Sequence, residues 1–529
     1  MNKLFKNKTL IFLIIILIIA CFFRLWKLNE IPPGLYPDVA INGNQAITEP
    51  GKIFYPENNG REGLFINLIY LSFSLLGISI WSIKIVAAII GILTVFGLYL
   101  LTKELLNSQK SIVNSQFVAL LSSFFLAISF WHTNFSRIGF RAILVPFCLV
   151  FLFYFLFKGF RTQKISNFIF AGIFFGLGFH SYIAYRFSVL LILIVLIFWR
   201  VIYKKQNLQK KFLLFTAYFL LFTLIIALPI GIYFLKNPSE IVSRATGISI
   251  FNQANPGKAF AKSLVSHLLM FNFSGDQNWR HNISGEPILF WPMGIFFLIG
   301  IFLSIKKLIL SIKNKNYSLF IVYCFLLSWF FIMLLPGILT SEGIPHSLRT
   351  IGAIPPVFIF AGLGAIISWE KTKEIFKLKT IKNWVIIFST VLMLITLVFS
   401  EYYRYFVIWG KNPEVKSAFA TNYVEIGAYL NSLPSETKKY VIVNEGGVLV
   451  IGKGSPLPMP AQTPMFIERT KFKEPQAIYL LPGEIAKIKI ERKTTIVLMK
   501  CDENLLLELS KKFPAGKIQE KNNICSYEF

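Results

Sequence analysis

Acidic residues are scarce in this chain of 529 residues, which has 26 Asp and Glu against 54 Lys and Arg. Only three are aspartates, and only Asp38 and Asp276 fall in the apolar part of the chain. The net charge of +28 would suit a nucleic acid, but the cations recur in short segments between apolar runs, as topogenic signals do. We therefore expect no nucleic-acid partner. The few carboxylates near the membrane surface become candidates for acid–base chemistry or metal binding.

Cysteine is also rare, with five residues, and the spacing of Cys and His shows no zinc-site signature. Three cysteines fall in apolar runs and are expected to be small buried hydrophobes. Cys501 and Cys525 lie in the more polar C-terminal part of the chain. They would pair in an oxidising compartment and stay free elsewhere, and the sequence leaves both alternatives open.

Apolar residues dominate instead: 55% of the chain is hydrophobic, the mean hydropathy is +0.61 and Phe occurs 55 times. This composition excludes a soluble globular protein. The apolar runs approach the roughly 20 residues that a helix needs to cross a hydrocarbon core of about 30 Å, and they read as helices because lipid admits only helices or closed barrels. We predict an α-helical polytopic protein of the cell membrane with about eleven transmembrane helices. The predicted crossings lie near residues 9–26, 82–102, 115–132, 140–160, 166–183, 187–203, 211–235, 289–306, 318–336, 350–369 and 382–402.

The basic clusters set the predicted orientation, because Lys and Arg in short loops stay in the cytoplasm. The N-terminus is then cytoplasmic, and the C-terminus lies outside after an odd number of crossings. The apolar run at 64–78 does not fit as a crossing and is predicted to be a juxtamembrane or re-entrant helix at the outer face. The predicted domains are residues 1–403, in the membrane, and residues 404–529, a small extracytoplasmic α/β domain. Its predicted strands lie near 440–444, 448–451, 477–481 and 494–499.

Arginine and histidine gather on the predicted outer side, where topology does not require positive charge. The guanidinium group binds phosphate and carboxylate bidentately, which favours a binding role. The alternative is that individual arginines anchor helix ends in lipid headgroups. The residues are Arg24, Arg61, Arg137, Arg141, Arg186, Arg244, Arg280 and Arg349, with His132, His180, His267, His281 and His346.

The first predicted outer loop reads IPPGLYPDVAING at 31–43 and FYPENNGREGLF at 54–65. Its Pro, Gly and Asn content predicts an ordered, turn-rich loop. The loop places Asp38 soon after the first helix, and it places Arg61 and Glu62 at the start of the surface helix. A carboxylate and a guanidinium so placed could share one cleft at the outer leaflet. The alternative is a self-contained loop in which Asp38 caps a short helix.

Together with four later segments, this loop resembles the bacterial branch of the C-type glycosyltransferases, which include protein O-mannosyltransferases and the aminoarabinose transferases of lipid A. The resemblance covers residues 1–403, with the segments in the same order. It implies transfer of a sugar from a polyprenyl-phosphate donor to a hydroxyl of a protein, lipid or glycan acceptor outside the membrane. The later segments are FSRIGFR at 135–141, GFHSY at 178–182 followed by Tyr185 and Arg186, GDQNWRHN at 275–282 and PHSLR at 345–349.

The resemblance also implies roles for individual residues. In the family, an acidic residue of the first outer loop is the catalytic carboxylate, and the matching position is Asp38. Many relatives have a second acidic residue next to it, where this chain has Val39. The chemistry itself needs a base for the acceptor proton and cations for the departing phosphate, and a single displacement predicts inversion. The donor-phosphate candidates are Arg61, which matches a phosphate-contacting position of relatives, and Arg137, Arg186 and Arg349.

A further set of polar residues is predicted to bind substrate by orienting sugar hydroxyls or the phosphate. Some of them could instead hold a divalent cation, and metal dependence stays open. For each histidine the alternative is a hydrogen-bonded residue at a helix end. The set consists of Glu57, Glu62, His180, Tyr182, His281 and His346.

Two rival classes of function remain. A lipid-linked sugar flippase or other transporter would place ionisable residues at mid-membrane depth rather than in outer loops. A noncatalytic scaffold would need neither the excess of outer arginine nor the loop motifs. The substitution Asp38→Asn separates the classes, because it should abolish a transferase activity and leave a scaffold unchanged.

Overall fold

The computed structural model describes residues 3–107, 115–241, 247–378, 383–451, 456–521 and 524–529. The chain forms two compact units. The first, here called the helical unit, consists of Met1–Trp26 and Ala87–Trp409. The second, here called the mixed unit, consists of Lys27–Val86 and Gly410–Phe529. The mixed unit therefore joins the first predicted outer loop to the C-terminal residues in one body.

Helices form most of the helical unit and also occur in the mixed unit. A π-helical segment, Tyr403–Trp409, follows the helix at Asn383–Tyr402. In chain order the helices are α1 (Lys3–Leu25), α2 (Pro37–Thr48), α3 (Leu64–Leu76), α4 (Ile80–Asn107), α5 (Ser115–Ile128), α6 (Phe130–Phe135), α7 (Leu144–Thr162), α8 (Ile165–Gly178), α9 (Ser188–Lys205), α10 (Gln209–Lys236), α11 (Pro256–Leu269), α12 (Trp291–Lys313), α13 (Tyr317–Ile338), α14 (Ile354–Leu378), α15 (Asn383–Tyr402), α16 (Pro413–Ala418), α17 (Thr421–Ser432), α18 (Gln462–Arg469) and α19 (Glu503–Lys512).

Within the described ranges, nine helices are long and apolar enough to cross a membrane. Each coincides with a predicted crossing, so the predicted class, an α-helical multi-pass membrane protein, is confirmed. The crossings predicted near 115–132 and 166–183 correspond to α5 and α8, which have 14 residues each. At 1.5 Å per residue such a helix spans about 21 Å, which is less than a hydrocarbon core. By length and composition, nine of the eleven predicted crossings are candidate spans in this part of the chain.

The crossing predicted near 115–132 is interrupted at Ser129, between α5 and α6. Ser129 has φ −58° and ψ 134°, outside the helical region, and its hydroxyl accepts the N–H of His132 at 3.4 Å. Serine is favoured at this capping position because its hydroxyl accepts a hydrogen bond from a backbone N–H in the first turn of the next helix. Because the residues on both sides of Ser129 are apolar, the sequence alone does not indicate that one helix ends there and another begins.

Helices α12 and α14 pack at very short distance through glycine. A Cβ atom at Gly300 would lie 1.9 Å from the carbonyl oxygen of Phe360, and one at Gly364 would lie 1.9 Å from that of Phe296. Small residues let helices in lipid approach closely, where van der Waals contact drives their association. A larger residue at either glycine would force these two helices apart.

The mixed unit contains the strands β1 (Phe54–Tyr55), β2 (Arg61–Glu62), β3 (Lys438–Ile442), β4 (Leu449–Val450), β5 (Leu457–Pro458), β6 (Ile478–Leu480), β7 (Thr494–Leu498), β8 (Lys517–Lys521) and β9 (Ile524–Glu528). Five of them form a sheet in the order β6-β3-β7-β9-β8. The first three strands in that order are parallel, and β9 is antiparallel to both of its neighbours. The predicted small C-terminal α/β domain is thus confirmed.

The four predicted strands correspond to β3, β4, β6 and β7, whereas β1, β2, β5, β8 and β9 were not predicted. Strand β8 is exposed along its whole length, so its sequence lacks the apolar alternation of a half-buried strand. Cys525 in β9 forms a disulfide bond with Cys501, which follows β7. This bond decides between the two alternatives that the sequence left open.

The domain boundary predicted between residues 403 and 404 lies near the break between Trp409 and Gly410 that separates the two units. The segment Lys27–Val86 was assigned to the membrane domain from sequence, but it packs with the C-terminal residues in the mixed unit. Its helix α3 has 13 residues, as the predicted juxtamembrane run suggested. The position of α3 at the outer face remains a prediction.

Candidate active site

Asp38 is the second residue of α2, which begins at Pro37. Proline suits the first position of a helix, and a carboxylate in the first turn interacts favourably with the positive end of the helix dipole. Tyr36 occupies the N-cap position without a side-chain bond, so Asp38 is not the helix cap that the alternative interpretation expected. Apart from Asp38, only the last two residues of α2 are not buried. The helix therefore presents one accessible carboxylate.

Arg61 is 1% exposed and reaches α2 from β2. Its guanidinium donates hydrogen bonds to Asn42 Oδ1 at 2.6 Å and to Gln45 Oε1. Its Nε donates to the carbonyl oxygen of Glu57 at 3.2 Å. Gln45 donates to the Glu57 carboxylate at 2.9 Å, and that carboxylate lies 3.8 Å from the Arg61 guanidinium. Arg61 and Glu57 thus brace the helix that carries Asp38.

Two other buried charged residues belong to the same part of the mixed unit. Glu62 is 3% exposed and lies opposite Phe54 in the β1–β2 pair. Lys84, near the start of α4, is 2% exposed and donates to the carbonyl oxygen of Pro32 at 2.8 Å. Lys84 was not selected from sequence because it lies inside an apolar run that reads as a crossing.

A second polar cluster, in the helical unit, is centred on Asp276. Its Oδ2 accepts hydrogen bonds from the N–H and the hydroxyl of Ser347, both at 2.8 Å, and from His281 Nδ1 at 3.0 Å. The ring centroids of His281 and His346 lie 4.9 Å apart. We call Asp276, His281, His346 and Ser347 the Asp276 cluster. It joins two segments, GDQNWRHN and PHSLR, that are far apart in the sequence.

The first of these segments forms a closed loop. The N–H of Gly275 donates to the carbonyl oxygen of Gly285, and the N–H of Gly285 donates to that of Asp276, both at 3.1 Å. A Cβ atom at Gly275 would lie 2.0 Å from the carbonyl oxygen of Glu286, so only glycine fits there. Asp276 Oδ1 also accepts the N–H of Asn278 at 2.9 Å. The loop thereby fixes the Asp276 carboxylate before any ligand binds.

The charges of the cluster shift two pKa values. Burial alone would raise the pKa of Asp276, but the charge and hydrogen bond of His281, the charge of His346 and the N–H of Asn278 outweigh it and hold that pKa below 3.8. Desolvation, together with the charges of His281 and Arg349, holds the pKa of His346 well below 6.5. At neutral pH the cluster therefore combines an ionised carboxylate with a neutral imidazole at His346.

This combination suits a divalent metal ion, because neutral imidazole and carboxylate are common ligands of such ions. Asp276, His281 and His346 each offer a ligand atom, and these atoms lie within 4.8 Å of one another. The bond from His281 Nδ1 to Asp276 leaves the Nε2 lone pair of His281 for a ligand. The cluster could also bind a sugar hydroxyl or phosphate through the same groups.

His180 and Tyr182, also predicted to bind substrate, have contacts elsewhere in the helical unit. His180 Nε2 donates to the carbonyl oxygen of Ile226 at 2.9 Å, in the turn of α10 before Pro229. Pro229 lacks the N–H of a regular helix residue, so the His180 bond lies next to an interruption of the backbone bonds of α10. The Tyr182 ring lies 5.4 Å from the guanidinium carbon of Arg141. The contact of His180 fits the alternative of a hydrogen-bonded histidine that supports a helix.

Arg137, a predicted donor-phosphate ligand, is fully buried at the end of α1. It donates to the carbonyl oxygens of Phe23 at 2.9 Å and Trp26 at 2.6 Å. A cation at the C-terminal end of a helix complements the helix dipole and satisfies unpaired carbonyl groups. These contacts give Arg137 a structural role, and its phosphate role remains a prediction. Arg244 lies outside the described residues.

The two remaining candidate arginines also contact backbone oxygens. Arg186 donates to the carbonyl oxygen of Ile241 at 2.5 Å. Arg349 donates to the carbonyl oxygen of Glu342 at 2.8 Å and forms an ion pair with its carboxylate at 3.4 Å. The charge of Arg349 also acts on His346, so this arginine belongs to the surroundings of the Asp276 cluster.

Some of the predicted residues therefore form one group in each unit, and three partners in these groups were not predicted. Asn42 and Gln45 follow Asp38 by four and seven positions, the spacing of one helix face, which is a signal that the sequence contained. Ser347 directly follows His346, but nothing local indicates that it binds a carboxylate 71 residues away.

Comparisons with known proteins agree with this architecture. Residues 64–233 match the family described as dolichyl-phosphate-mannose-protein mannosyltransferase. The crystal structure of ArnT from Cupriavidus metallidurans bound to undecaprenyl phosphate is similar over 99% of this chain and 98% of that chain, at 13% identity and a TM-score of 0.56. The apo structure of the same ArnT covers the same shares at 12% identity and a TM-score of 0.53.

The resemblance to the C-type glycosyltransferases is confirmed. At 12–13% sequence identity, the similarity to ArnT shows that the two chains share a fold. The apo oligosaccharyltransferase of Archaeoglobus fulgidus matches over 81% of this chain and 58% of that chain, at 14% identity and a TM-score of 0.49. No curated protein matches the sequence.

Proposed function

We propose that the chain is a membrane glycosyltransferase that moves a sugar from a polyprenyl-phosphate donor to an acceptor hydroxyl at the outer face of the membrane. The observation that carries this proposal is the accessible carboxylate of Asp38 on an otherwise buried helix. The family match over 64–233 and the ArnT fold support the same class of reaction. The acceptor would be a protein, a lipid or a glycan.

Asp38 is the proposed general base. Its carboxylate takes the proton of the acceptor hydroxyl while the acceptor oxygen bonds to the anomeric carbon of the sugar. The bond between that carbon and the phosphate oxygen breaks, and polyprenyl phosphate leaves with the electron pair. This single displacement inverts the anomeric configuration.

Cations would stabilise the negative charge on the departing phosphate. Arg61 remains the first candidate, although a phosphate would have to replace one of its bonds to the side-chain amides of Asn42 and Gln45. Arg349 is the second, because it lies beside the Asp276 cluster. Arg186 and Arg137 follow, since their guanidiniums donate to backbone carbonyl groups.

We also propose that the Asp276 cluster binds a divalent cation. His281 and His346 would be ligands, and Asp276 would either bind the ion or orient the His281 ring. A cation there would supply positive charge to an oxygen of a phosphate or sugar bound at the cluster. Metal analysis of the purified protein tests this site: the wild type should retain bound metal, and His346→Gln should lose it. Equal metal content in both would overturn the proposal.

The mixed unit is proposed to lie outside the cytoplasm, with the N-terminus inside. The disulfide bond between Cys501 and Cys525 supports this orientation, because such bonds persist in oxidising compartments. The orientation is tested by protease access to the C-terminal residues from the outside of intact cells.

The activity is tested by transfer of labelled sugar from a panel of polyprenyl-phosphate sugars, with the purified protein in lipid and a membrane extract as acceptor. Wild type should transfer at least one sugar with inversion, and Asp38→Asn should lose about 100-fold or more of the rate. Glu30→Gln is the matched control, because Glu30 is exposed and pairs only weakly with Lys27 at 2.9 Å.

Equal rates of transfer by wild type and Asp38→Asn would show that Asp38 is not the general base. Movement of the labelled donor across the bilayer, without transfer, would favour the flippase. No signal in either assay would favour the scaffold.

A further inference from the structure

The helix that carries Asp38 is held on two different faces. With about 100° between successive residues of a helix, Asn42 and Gln45 lie within about 40° of Asp38, and both contact Arg61. Gly43 and Asn44 lie about 120–140° away from Asp38 on the same basis. These two residues contact α18, which comes from the C-terminal part of the mixed unit.

Hydrogen bonds connect α18 to α2 and to the segment that precedes it. The Asn44 amide donates to the carbonyl oxygen of Gln462 at 2.9 Å and to its side-chain Oε1 at 3.0 Å. The Thr463 hydroxyl donates to the carbonyl oxygen of Leu35 at 3.0 Å. Leu35 lies three positions before Asp38, so the second bond fixes the chain just where α2 begins. All four groups are buried or nearly so.

Apolar contacts reinforce the same junction. A Cβ atom at Gly43 would lie 2.6 Å from the ring of Phe466, which shows how closely α18 approaches α2. Phe466 also stacks on Phe73 of α3, with ring centroids 6.0 Å apart. Ile41 packs with Val450 and Met459 in a small buried cluster. Close packing of this kind leaves α2 little freedom to shift.

We infer that the C-terminal domain, through Gln462, Thr463 and Phe466 of α18, is a positioning element for the Asp38 carboxylate. The inference rests on the proposed function and deepens it. Arg61 holds the face of α2 that carries Asp38, and α18 holds the opposite side. The domain then contributes to the rate without supplying a group that touches the substrate.

This role has a kinetic signature. Misplacement of a catalytic group by a fraction of an ångström lowers the rate of the chemical step, whereas binding of the distant parts of the donor changes little. Loss of the α18 contacts should therefore lower kcat and leave the KM for the donor nearly unchanged. A domain that only bound the donor or the acceptor would change KM instead.

Thr463 offers the sharpest test because each of its two conservative replacements differs from threonine in one heavy atom. Thr463→Val keeps the shape and removes the hydroxyl that donates to Leu35, and Thr463→Ser keeps the hydroxyl. We expect Thr463→Val to lower kcat about tenfold and Thr463→Ser to restore most of it. Thr470→Val is the matched control: its hydroxyl donates within the end of its own helix, to Ile467 at 2.7 Å.

Hydrogen exchange of the intact protein gives a second readout that does not depend on activity. Thr463→Val should raise the exchange of the α2 amides, while Thr463→Ser and Thr470→Val should leave it at the wild-type level. Gln462→Ala, which removes one of the two acceptors of Asn44, should act in the same direction as Thr463→Val.

Different results overturn the positioning role and the proposed function. If wild type is active and Asp38→Asn is not, but Thr463→Val has wild-type kcat and wild-type exchange of α2, the positioning role is overturned and the transferase stands. If wild type transfers no sugar, the proposed function fails, and faster exchange of α2 in Thr463→Val would still support the contact between α18 and α2. A change in KM alone would also overturn the positioning role.

Discussion

Replacement of Arg61 by lysine tests how the segment predicted to be the first outer loop holds the helix of Asp38. The guanidinium donates to three oxygens, those of the Asn42 and Gln45 amides and the Glu57 backbone. A lysine ammonium keeps the charge but lacks the planar fork, so it reaches at most one of the three. Two bonds to a buried charge are lost, at about 1.5–3 kcal/mol each, which amounts to about 3–6 kcal/mol.

The assay is hydrogen exchange of α2, because local opening of this helix breaks these bonds. A loss of about 3 kcal/mol would raise the exchange rate of its amides about 100-fold. Arg161→Lys is the matched control: Arg161 is 47% exposed and pairs with Glu104, and such a pair contributes less than about 1 kcal/mol. Unchanged exchange of α2 in Arg61→Lys would refute the bracing role. If kcat and exchange stayed normal while KM for the donor rose, Arg61 would be a phosphate ligand only.

Two further predictions concern the Asp276 cluster and the disulfide bond. The pKa of His346 in the folded protein is well below 6.5, so its contribution to stability is present above pH 6.5 and is lost as the pH falls below that value. The pKa of Asp276 is below 3.8, so its contribution is present above pH 3.8 and is lost only below that value. The thermal midpoint should fall from pH 7 to pH 5 in the wild type and less steeply in His346→Gln; equal slopes would contradict this assignment. The bond between Cys501 and Cys525 closes a segment with a sequence separation of 24, so its loss in the double Cys→Ser variant should cost about 3 kcal/mol. A reducing agent should lower the thermal midpoint of the wild type but not that of the double variant, and an effect on both would point to another site.

Helix positions in this chain follow from the apolar runs because the lipid-facing and buried surfaces of a membrane helix are both apolar. Ser129 shows the limit of that reasoning. A polar residue within an apolar run is usual in a packed bundle, and only the backbone shows that Ser129 ends one helix and caps the next. Strand β8 shows the same limit in the mixed unit, since its exposed residues carry no alternation.

Candidate site residues were predictable where a residue type is scarce. Asp38 and Asp276 stood out because aspartate is rare in this chain. Asp276 lies at the centre of a polar cluster, and Asp38 lies on a helix whose side chains bind Arg61. Arg137 was selected for its charge, but its guanidinium donates to the end of α1. Composition identifies a candidate cation, and only the fold decides whether that cation faces a ligand or a helix end.

The sequence by itself determined the class of protein, most of its helices, the small C-terminal domain and the resemblance to C-type glycosyltransferases. These features depend on local composition and periodicity, which need no knowledge of distant contacts. The tertiary structure decided that Lys27–Val86 packs with the C-terminal residues and that Asp276 binds Ser347. It also decided that Thr463 donates to Leu35, 428 positions away. Contacts between residues so far apart leave no local pattern, because either partner alone resembles an ordinary polar residue of a loop or a short helix.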